Sequence, residues 1–306
     1  MNAAPSVLCP VDYSDASAGA LRYAAAIAEH FGARLIVLTV EDPLLTSALD
    51  LGTGASWTPQ LSQGHLEEFA DEALRRDGRP LPVHREYEIA VGKPPIEILR
   101  ISRERGCELI VMSSHGLTGA RKLFFGSTTE RVLRETTVPV LVTPAADAGP
   151  RDLETAAARI RRIAVPVDLS SASADQTSVA SHIAESLDLQ LLLIHVIEPV
   201  KSRLMAQANV AGLNADRRAL AEEALQRLAG SVPQKVRPEP LIAYGDPAEE
   251  AAKVVRDRGA GLIVMGLHGS PVSGPRMGSV TYRMLCVCAV PVLALPPRRP
   301  SRAQAG

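Results

Sequence analysis

The sequence is poor in aromatic residues and has almost no net charge. Only 3% of its 306 residues are aromatic, and 33 Lys and Arg against 34 Asp and Glu leave a formal charge of −1. A protein that coats nucleic acid normally carries a strongly basic domain, and one that stacks on single strands needs aromatic side chains. The composition therefore argues against a nucleic-acid partner.

Cysteine and long hydrophobic runs are also scarce. The four cysteines, Cys9, Cys107, Cys286 and Cys288, form no Cys-x-x-Cys pair, which argues against zinc ribbons and thioredoxin-like sites. We interpret all four as buried structural thiols and expect no metal site. The N-terminal residues lack the basic and apolar segments of a signal peptide, and no run of about 18 apolar residues follows. We therefore expect a cytoplasmic protein with no membrane association.

The most informative feature is an internal repeat. Residues 105–116, RGCELIVMSSHG, and residues 258–269, RGAGLIVMGLHG, agree at eight of twelve positions. The tripeptide PVD recurs in the same way, and so does the tetrapeptide VPVL. One domain is thus present twice. We predict a first domain over residues 1–145, a linker over 146–160, a second domain over 161–297 and a tail over 298–306.

Within each half, short apolar runs alternate with helical patterns. Short runs rich in β-branched residues are typical of strands that are buried on both faces. The predicted strands of the first half are 7–12, 33–40, 83–90, 108–113 and 138–143, and its predicted helices are 15–30, 65–76, 94–105 and 127–135. The second half copies this pattern. The predicted fold class is α/β, with two tandem Rossmann-like doubly wound domains, each a five-stranded parallel sheet with four helices.

Several nucleotide and catalytic motifs are absent, including the P-loop and dinucleotide fingerprints and the zinc-protease and esterase motifs. What remains is a glycine-bearing loop after the fourth strand of each half, which ends in Gly126-Ser127-Thr128 and in Gly278-Ser279. Exposed N–H groups at the start of a helix attract phosphate, and we expect Ser127 or Thr128 to cap the first of these helices. The alternative is that the glycines only turn the chain.

Asp12 and Asp168 end the first strand of each half. Each can accept a hydrogen bond from the base or ribose of a ligand, or can only stabilise a turn before the next helix. We interpret His115 and His268 as loop-packing residues and His195 as a hydrogen-bonded core residue. No general base is evident beside the loops, so rapid hydrolysis is not predicted.

Together these features resemble a tandem universal stress protein. Nucleotide-binding members of that family carry Gly-2x-Gly-9x-Gly-[Ser/Thr] before the last helix, an Asp after strand one and a Val-Pro-Val-Leu-like last strand. The resemblance implies ATP as the ligand, or AMP or a cyclic nucleotide in its place, with Mg²⁺ able to accompany ATP. The implied site residues are Asp12, Val40, Met112, Ser113, His115, Gly116, Gly119, Gly126, Ser127 and Thr128 in the first half, and Asp168, Val196, Gly266, Gly269, Gly278 and Ser279 in the second.

By this resemblance, the aspartates and the backbone at Val40 face adenine and ribose, and the glycine loops hold the phosphates. The sequence departs from the family pattern at Ser113, which replaces the first glycine. The second loop is one residue shorter and contains Pro271 and Pro275. Because proline has no N–H to donate, we expect ATP to bind more tightly in the first half.

The expected function is nucleotide binding without rapid turnover, in a stress-response protein that signals to a partner the sequence does not name. The alternatives are a slow ATPase and an interaction module with a vestigial pocket. The last predicted strand of each half is expected to be an edge strand, and open edges seek partners. We therefore expect these strands to pair, either within one chain as a pseudo-dimer or in a homodimer.

Overall fold

A computed structural model describes residues 4–41, 59–76, 79–80, 83–115, 126–150, 152–199, 207–267 and 277–297. The chain divides into two compact units with the boundary between Arg159 and Ile160, and the short segment Ala289–Val292 is assigned to the first. Each unit is built around a parallel sheet that carries helices, so the predicted α/β fold class is confirmed.

The first unit has a sheet of five parallel strands. They are β1 (Ser6–Val11), β2 (Arg34–Glu41), β5 (Arg85–Val91), β6 (Leu109–Ser113) and β7 (Val140–Thr143), and two short strands, β3 (Arg75–Arg76) and β4 (Arg79–Pro80), form a separate antiparallel pair. Within this unit the order is β7-β6-β1-β2-β5, and each of these pairings is parallel. The order reverses at β1, so the switch point lies between β1 and β6.

The helices of this unit are α1 (Asp15–Phe31), α2 (Pro59–Ala73), α3 (Pro94–Glu104), α4 (Ser127–Glu135) and α5 (Leu153–Ile160). Helix α1 begins at a serine cap, because the Ser14 hydroxyl accepts a hydrogen bond of 3.1 Å from the Ser17 N–H. It ends at Gly32, whose φ of 60° suits glycine. The prediction that α2 starts at residue 65 is wrong, because the helix already begins at Pro59, a residue type that favours a first turn.

The second unit repeats this architecture. Its strands are β8 (Arg162–Pro166), β9 (Gln190–Ile197), β10 (Pro238–Tyr244), β11 (Leu262–Gly266) and β12 (Val292–Leu295), in the order β10-β9-β8-β11-β12. Its helices are α6 (Ala172–Ser186), α7 (Gln207–Gly230), α8 (Pro247–Asp257) and α9 (Ser279–Val287), with a short 3-10 helix at Gln234–Val236. Here the switch point lies between β8 and β11.

The core of each unit lies along its central strands. Leu8, Ile36 and Ile110 in the first unit, and Ile163 and Ile263 in the second, are completely buried. Helices cover both faces of such a sheet, so the strands carry continuous apolar runs. None of the described helices combines the length and the apolar character that a membrane span requires.

The cysteines differ in their burial. Cys9 and Cys107 are buried, as expected, and burial raises the pKa of the Cys107 thiol to about 11. Cys286 and Cys288 are only half-buried, so the prediction of four buried thiols is wrong for these two. Both lie at the end of α9, where the helix gives way to the turn before β12.

The segment after β7 packs closely against α1. The Tyr23 hydroxyl donates to Asp147 Oδ2 at 2.8 Å, and Arg22 Nη1 donates to the main-chain oxygen of Ala148 at 2.6 Å. The approach is so close that a Cβ atom at Gly19 would lie 2.2 Å from the main-chain oxygen of Asp147. The start of the predicted linker is therefore a packed part of the first unit.

This contact predicts that Gly19→Ala is destabilising. The new methyl group would force the backbone at Asp147 to move, and we expect the free energy of unfolding to fall by about 1–3 kcal/mol. Gly64→Ala is the matched control, because it lies in α2 and nothing is within 4 Å of its added Cβ. It should raise stability by about 0.5–1 kcal/mol. Urea denaturation of both variants checks this, and equal effects would contradict the packing described.

Candidate functional site

Asp12 and Asp168 occupy equivalent positions at the two switch points, Asp12 directly after β1 and Asp168 separated from the end of β8 by one residue. Each is followed by a residue in the left-handed region, Tyr13 with φ 63° and Leu169 with φ 60°. That conformation costs a non-glycine residue about 1–2 kcal/mol. Its presence in both units indicates that the turn after the aspartate is specifically held, as strained turns at functional sites often are.

Serine residues at the start of the next helix hold both carboxylates. Asp12 Oδ1 accepts hydrogen bonds from the Ser14 N–H at 3.2 Å and from the Ser14 hydroxyl at 2.5 Å. Asp168 Oδ1 accepts from the Ser170 N–H at 2.9 Å and from the Ser173 hydroxyl at 3.0 Å. Each aspartate therefore orders the turn at its strand end, which fixes the position of its carboxylate at the switch point.

The Asp168 carboxyl is ionised more readily than an ordinary aspartate. Burial alone would raise its pKa, but the hydrogen bonds from Ser170 and Ser173 outweigh burial and hold the pKa below its usual value of 3.8. A carboxylate with a lowered pKa accepts hydrogen bonds well but is a weak proton acceptor. Its chemistry suits binding better than base catalysis.

Two hydrogen bonds close the base of the first glycine loop. The Gly126 N–H donates to the main-chain oxygen of Ser114 at 3.0 Å, and the buried Thr129 hydroxyl donates to that of Ser113 at 2.9 Å. They join the end of β6 directly to the first turn of α4. The start of α4 therefore lies at the carboxyl end of the sheet, on the same edge as Asp12.

The second loop has the same base. The Gly278 N–H donates to the main-chain oxygen of Leu267 at 2.9 Å, and the Thr281 hydroxyl donates to that of Gly266 at 2.8 Å. The residue sequences before the loop and the loop lengths differ between the halves, yet the two bonds are the same. Sequence reasoning missed Thr129 and Thr281, although they recur at the same spacing from their glycines.

The helices after these loops begin without a side-chain cap. The N-cap of α4 is Gly126 and that of α9 is Gly278, and no side chain among the described residues bonds to either helix start. The prediction that Ser127 or Thr128 caps α4 is therefore wrong, because both lie inside its first turn. Uncapped N–H groups at a helix start leave donors available to an anion.

A cavity of about 570 Å³ opens at the carboxyl end of the second sheet. This volume falls in the range of small-molecule sites. Five of the residues predicted from the sequence line it together, namely Asp168, Val196, Gly266, Gly278 and Ser279. The structure thus places the aspartate of β8, the end of β9 and the start of α9 around one space.

Sequence reasoning missed other residues of this cavity, including His195, Gln176, Arg217 and Met265. His195 does have a main-chain partner, since its Nδ1 lies 2.9 Å from the oxygen of Val167. The prediction that it is a core residue is wrong, however, because the side chain is half-buried and lines the cavity. Its position next to Val196, at the end of a strand that enters the site, was the available signal.

The site residues predicted for the first half lie at the ends of the strands that correspond to those around the cavity of the second half. Val40 is half-buried near the end of β2, and Met112 and Ser113 are buried at the end of β6. His115 packs locally: its main-chain oxygen accepts from the Ser113 hydroxyl at 2.7 Å, and its Nδ1 lies 3.1 Å from Ser114 Oγ. The predicted residues Gly116, Gly119 and Gly269, as well as His268, lie outside the described residues.

Comparison with known proteins agrees with this arrangement. The sequence matches the model of the Universal stress protein family twice, over residues 5–144 and 159–296. It is 31% identical over 141 residues to a universal stress protein of Methanocaldococcus jannaschii, an alignment that covers 44% of this chain and 79% of the relative. It is 32% identical over 148 residues to the universal stress protein YxiE of Bacillus subtilis, with 44% and 96% covered.

A solved structure shows the fold over nearly the full length. The crystal structure of a universal stress protein from Archaeoglobus fulgidus aligns over 95% of this chain and 98% of that chain, with a TM-score of 0.61 and 21% identity. Fold and site thus define a pair of Rossmann-like α/β domains, each with a helix that starts at a glycine beside the switch point. The chain belongs to the universal stress protein family and carries two of its domains in tandem.

The lowered pKa of Asp168 predicts a specific pH dependence of stability. A carboxyl whose pKa is lower in the folded state stabilises the protein above its unfolded pKa, and this contribution disappears as the pH falls through the folded pKa. The stability difference between wild type and Asp168→Asn should therefore be constant at neutral pH and shrink below about pH 4. Urea denaturation over a pH series measures it.

Ser173→Ala provides the control for this experiment. It removes one hydrogen bond that holds the Asp168 pKa down. In a Ser173→Ala background, the stability change caused by Asp168→Asn should therefore vary less with pH, and its decline should be complete at a higher pH, because the folded pKa lies closer to the unfolded one. A stability difference that stays unchanged from neutral to acidic pH would contradict the described hydrogen bonding of Asp168.

Proposed function

We propose that this protein binds nucleotide, ATP in the first instance, at the carboxyl end of each sheet, and acts in stress-response signalling as a binding protein. The observation that carries the proposal is the cavity that joins Asp168 to the uncapped start of α9. An acceptor at one side and N–H donors at the other fit a ligand with a hydroxyl-bearing sugar and an anionic group. Membership of the universal stress protein family supports the same proposal.

The residues at the two ends of the cavity suit the two parts of the proposed ligand. The phosphates would lie against the N–H groups of the first turn of α9 and the exposed Ser279 hydroxyl. The ribose hydroxyls would donate to the Asp168 carboxylate, and the base would lie against the end of β9 at Val196. AMP and cyclic nucleotides share the sugar and the base, and Mg²⁺ bound to ATP would be held mainly by the phosphates.

The first half has the same framework and takes the same role in this proposal. Asp12 and the start of α4 are placed by bonds equivalent to those of the second half. We propose that this half binds ATP more tightly, since its loop over 117–125 contains no proline, whereas the second loop contains two. Backbone N–H groups are the donors that a phosphate cradle requires.

The hydrogen bonding of the two carboxylates supports the proposal that the protein binds nucleotide without turning it over rapidly. Both accept hydrogen bonds from serine residues, and the pKa of Asp168 is lowered. General-base catalysis works best with a pKa near the operating pH. We place this activity in the cytoplasm and propose that the last strands of the two domains pair, within one chain or in a homodimer.

Paired charge substitutions test the proposed phosphate sites. Ser127 and Ser279 are exposed in the first turns of α4 and α9. An Asp there suits the helix dipole but places a negative charge where phosphate would bind. We expect Ser127→Asp and Ser279→Asp each to weaken one of two ATP sites by about tenfold or more in calorimetry, a difference of about 1.4 kcal/mol.

The neutral, nearly isosteric variants Ser127→Asn and Ser279→Asn are the controls and should weaken ATP much less. If Ser279→Asp removes the tighter of the two sites, the proposed ranking of the halves is wrong. If neither charged variant changes ATP binding, the phosphates do not lie at these helix starts.

A further inference from the structure

The two halves are alike at the helix starts where phosphate is proposed to bind. They differ at the opposite side of the site. Counting from Asp12 and Asp168, the counterpart of His195 is Thr39, and the counterpart of Gln176 is Ala20. Thr39 and Ala20 are both buried, and the Thr39 side chain faces the Tyr13 hydroxyl. At these positions the second half therefore carries the larger polar side chains, and both line its cavity.

The hydrogen bond of His195 determines which nitrogen of its ring can accept a hydrogen bond from a ligand. Its Nδ1 lies 2.9 Å from the main-chain oxygen of Val167, and a carbonyl oxygen can only accept. Nδ1 therefore carries the proton, and Nε2 of the neutral ring is an acceptor. Among the described residues the ring makes no other hydrogen bond.

Gln176 is held in the same manner. It is 8% exposed, and its Nε2 donates to the main-chain oxygen of Pro166 at 3.3 Å. This bond fixes the orientation of the amide, because the carbonyl can only face the nitrogen. The remaining polar atom, Oε1, is an acceptor with no hydrogen bond in the described part of the chain.

His195 stands well away from the helix start at which the anionic group is proposed to bind. His195 is on β9, and α9 follows β11, which lies two strands further along the sheet. At the usual spacing between strands this is about 10 Å. A ligand that reaches both ends carries an anionic group at α9 and N–H donors near His195 and Gln176.

We propose that His195 and Gln176 make the second-half site selective for nucleotides whose base carries an exocyclic amino group. This inference rests on the proposed nucleotide binding and adds base selectivity to one half of the chain. A site built with hydrogen-bond acceptors rejects a ligand that lacks the matching donor, since the acceptors are then desolvated without a partner. The first half, in which Thr39 is buried facing Tyr13 and Ala20 is apolar, lacks this selectivity.

The test compares ATP with purine riboside 5′-triphosphate, which has the same ring, ribose and phosphates but no amino group. The full chain carrying Ser127→Asp isolates the second half, and the full chain carrying Ser279→Asp isolates the first. In calorimetry, we expect the second half to prefer ATP by about tenfold and the first half to bind both ligands with similar affinity.

Replacing His195 and Gln176 by their first-half counterparts should then remove the preference of the second half for ATP. In the Ser127→Asp chain, His195→Thr and Gln176→Ala should each reduce the preference, because ATP loses a hydrogen bond and purine riboside triphosphate no longer leaves that acceptor desolvated without a partner. Retained binding of purine riboside triphosphate also shows that the variant is folded. The double variant should bind both ligands equally.

Two results would overturn the inference in distinguishable ways. If the second half binds both triphosphates equally, or if its preference survives in the double variant, the selectivity is wrong and nucleotide binding stands. If neither isolated half binds either triphosphate, the proposed function fails, and the selectivity fails with it.

Discussion

The site in each domain depends on the hydrogen bonds at the base of its glycine loop. A glycine N–H and a buried threonine hydroxyl bond to successive main-chain oxygens at the end of the fourth strand. Each bond contributes only about 1 kcal/mol to stability, but together they fix where the next helix begins. Because the loop is closed at its base, the first turn of that helix stays beside the switch point whatever the length of the loop.

The duplicated chain keeps this framework while the opposite side of the site varies. Asp12 and Asp168 hold the same strained turn, and α4 and α9 both begin at an uncapped glycine. The side chains on that opposite side differ in size and polarity, as His195 at the position equivalent to Thr39 illustrates. The tandem arrangement thus repeats one helix-start framework and places different side chains opposite it in the two halves.

Much of this arrangement could be predicted from the sequence because the repeat presents every signal twice. Strand runs, the two aspartates and the glycine loops recur at matched positions, and continuous apolar runs identify central parallel strands. The roles of Thr129 and Gly126 were not predictable, because the bonds that define them span the loop and depend on tertiary geometry. His195 was misread because a strand that is buried along most of its length emerges into the cavity at its last residues.

The central claim is that the chain holds intact nucleotide and does not consume it. Native mass spectrometry of the full chain after prolonged incubation with ATP tests this most directly. The account predicts protein masses that correspond to one and two bound molecules of intact ATP per chain. A spectrum with only unliganded protein at millimolar ATP, or with ADP as the bound species, would contradict it.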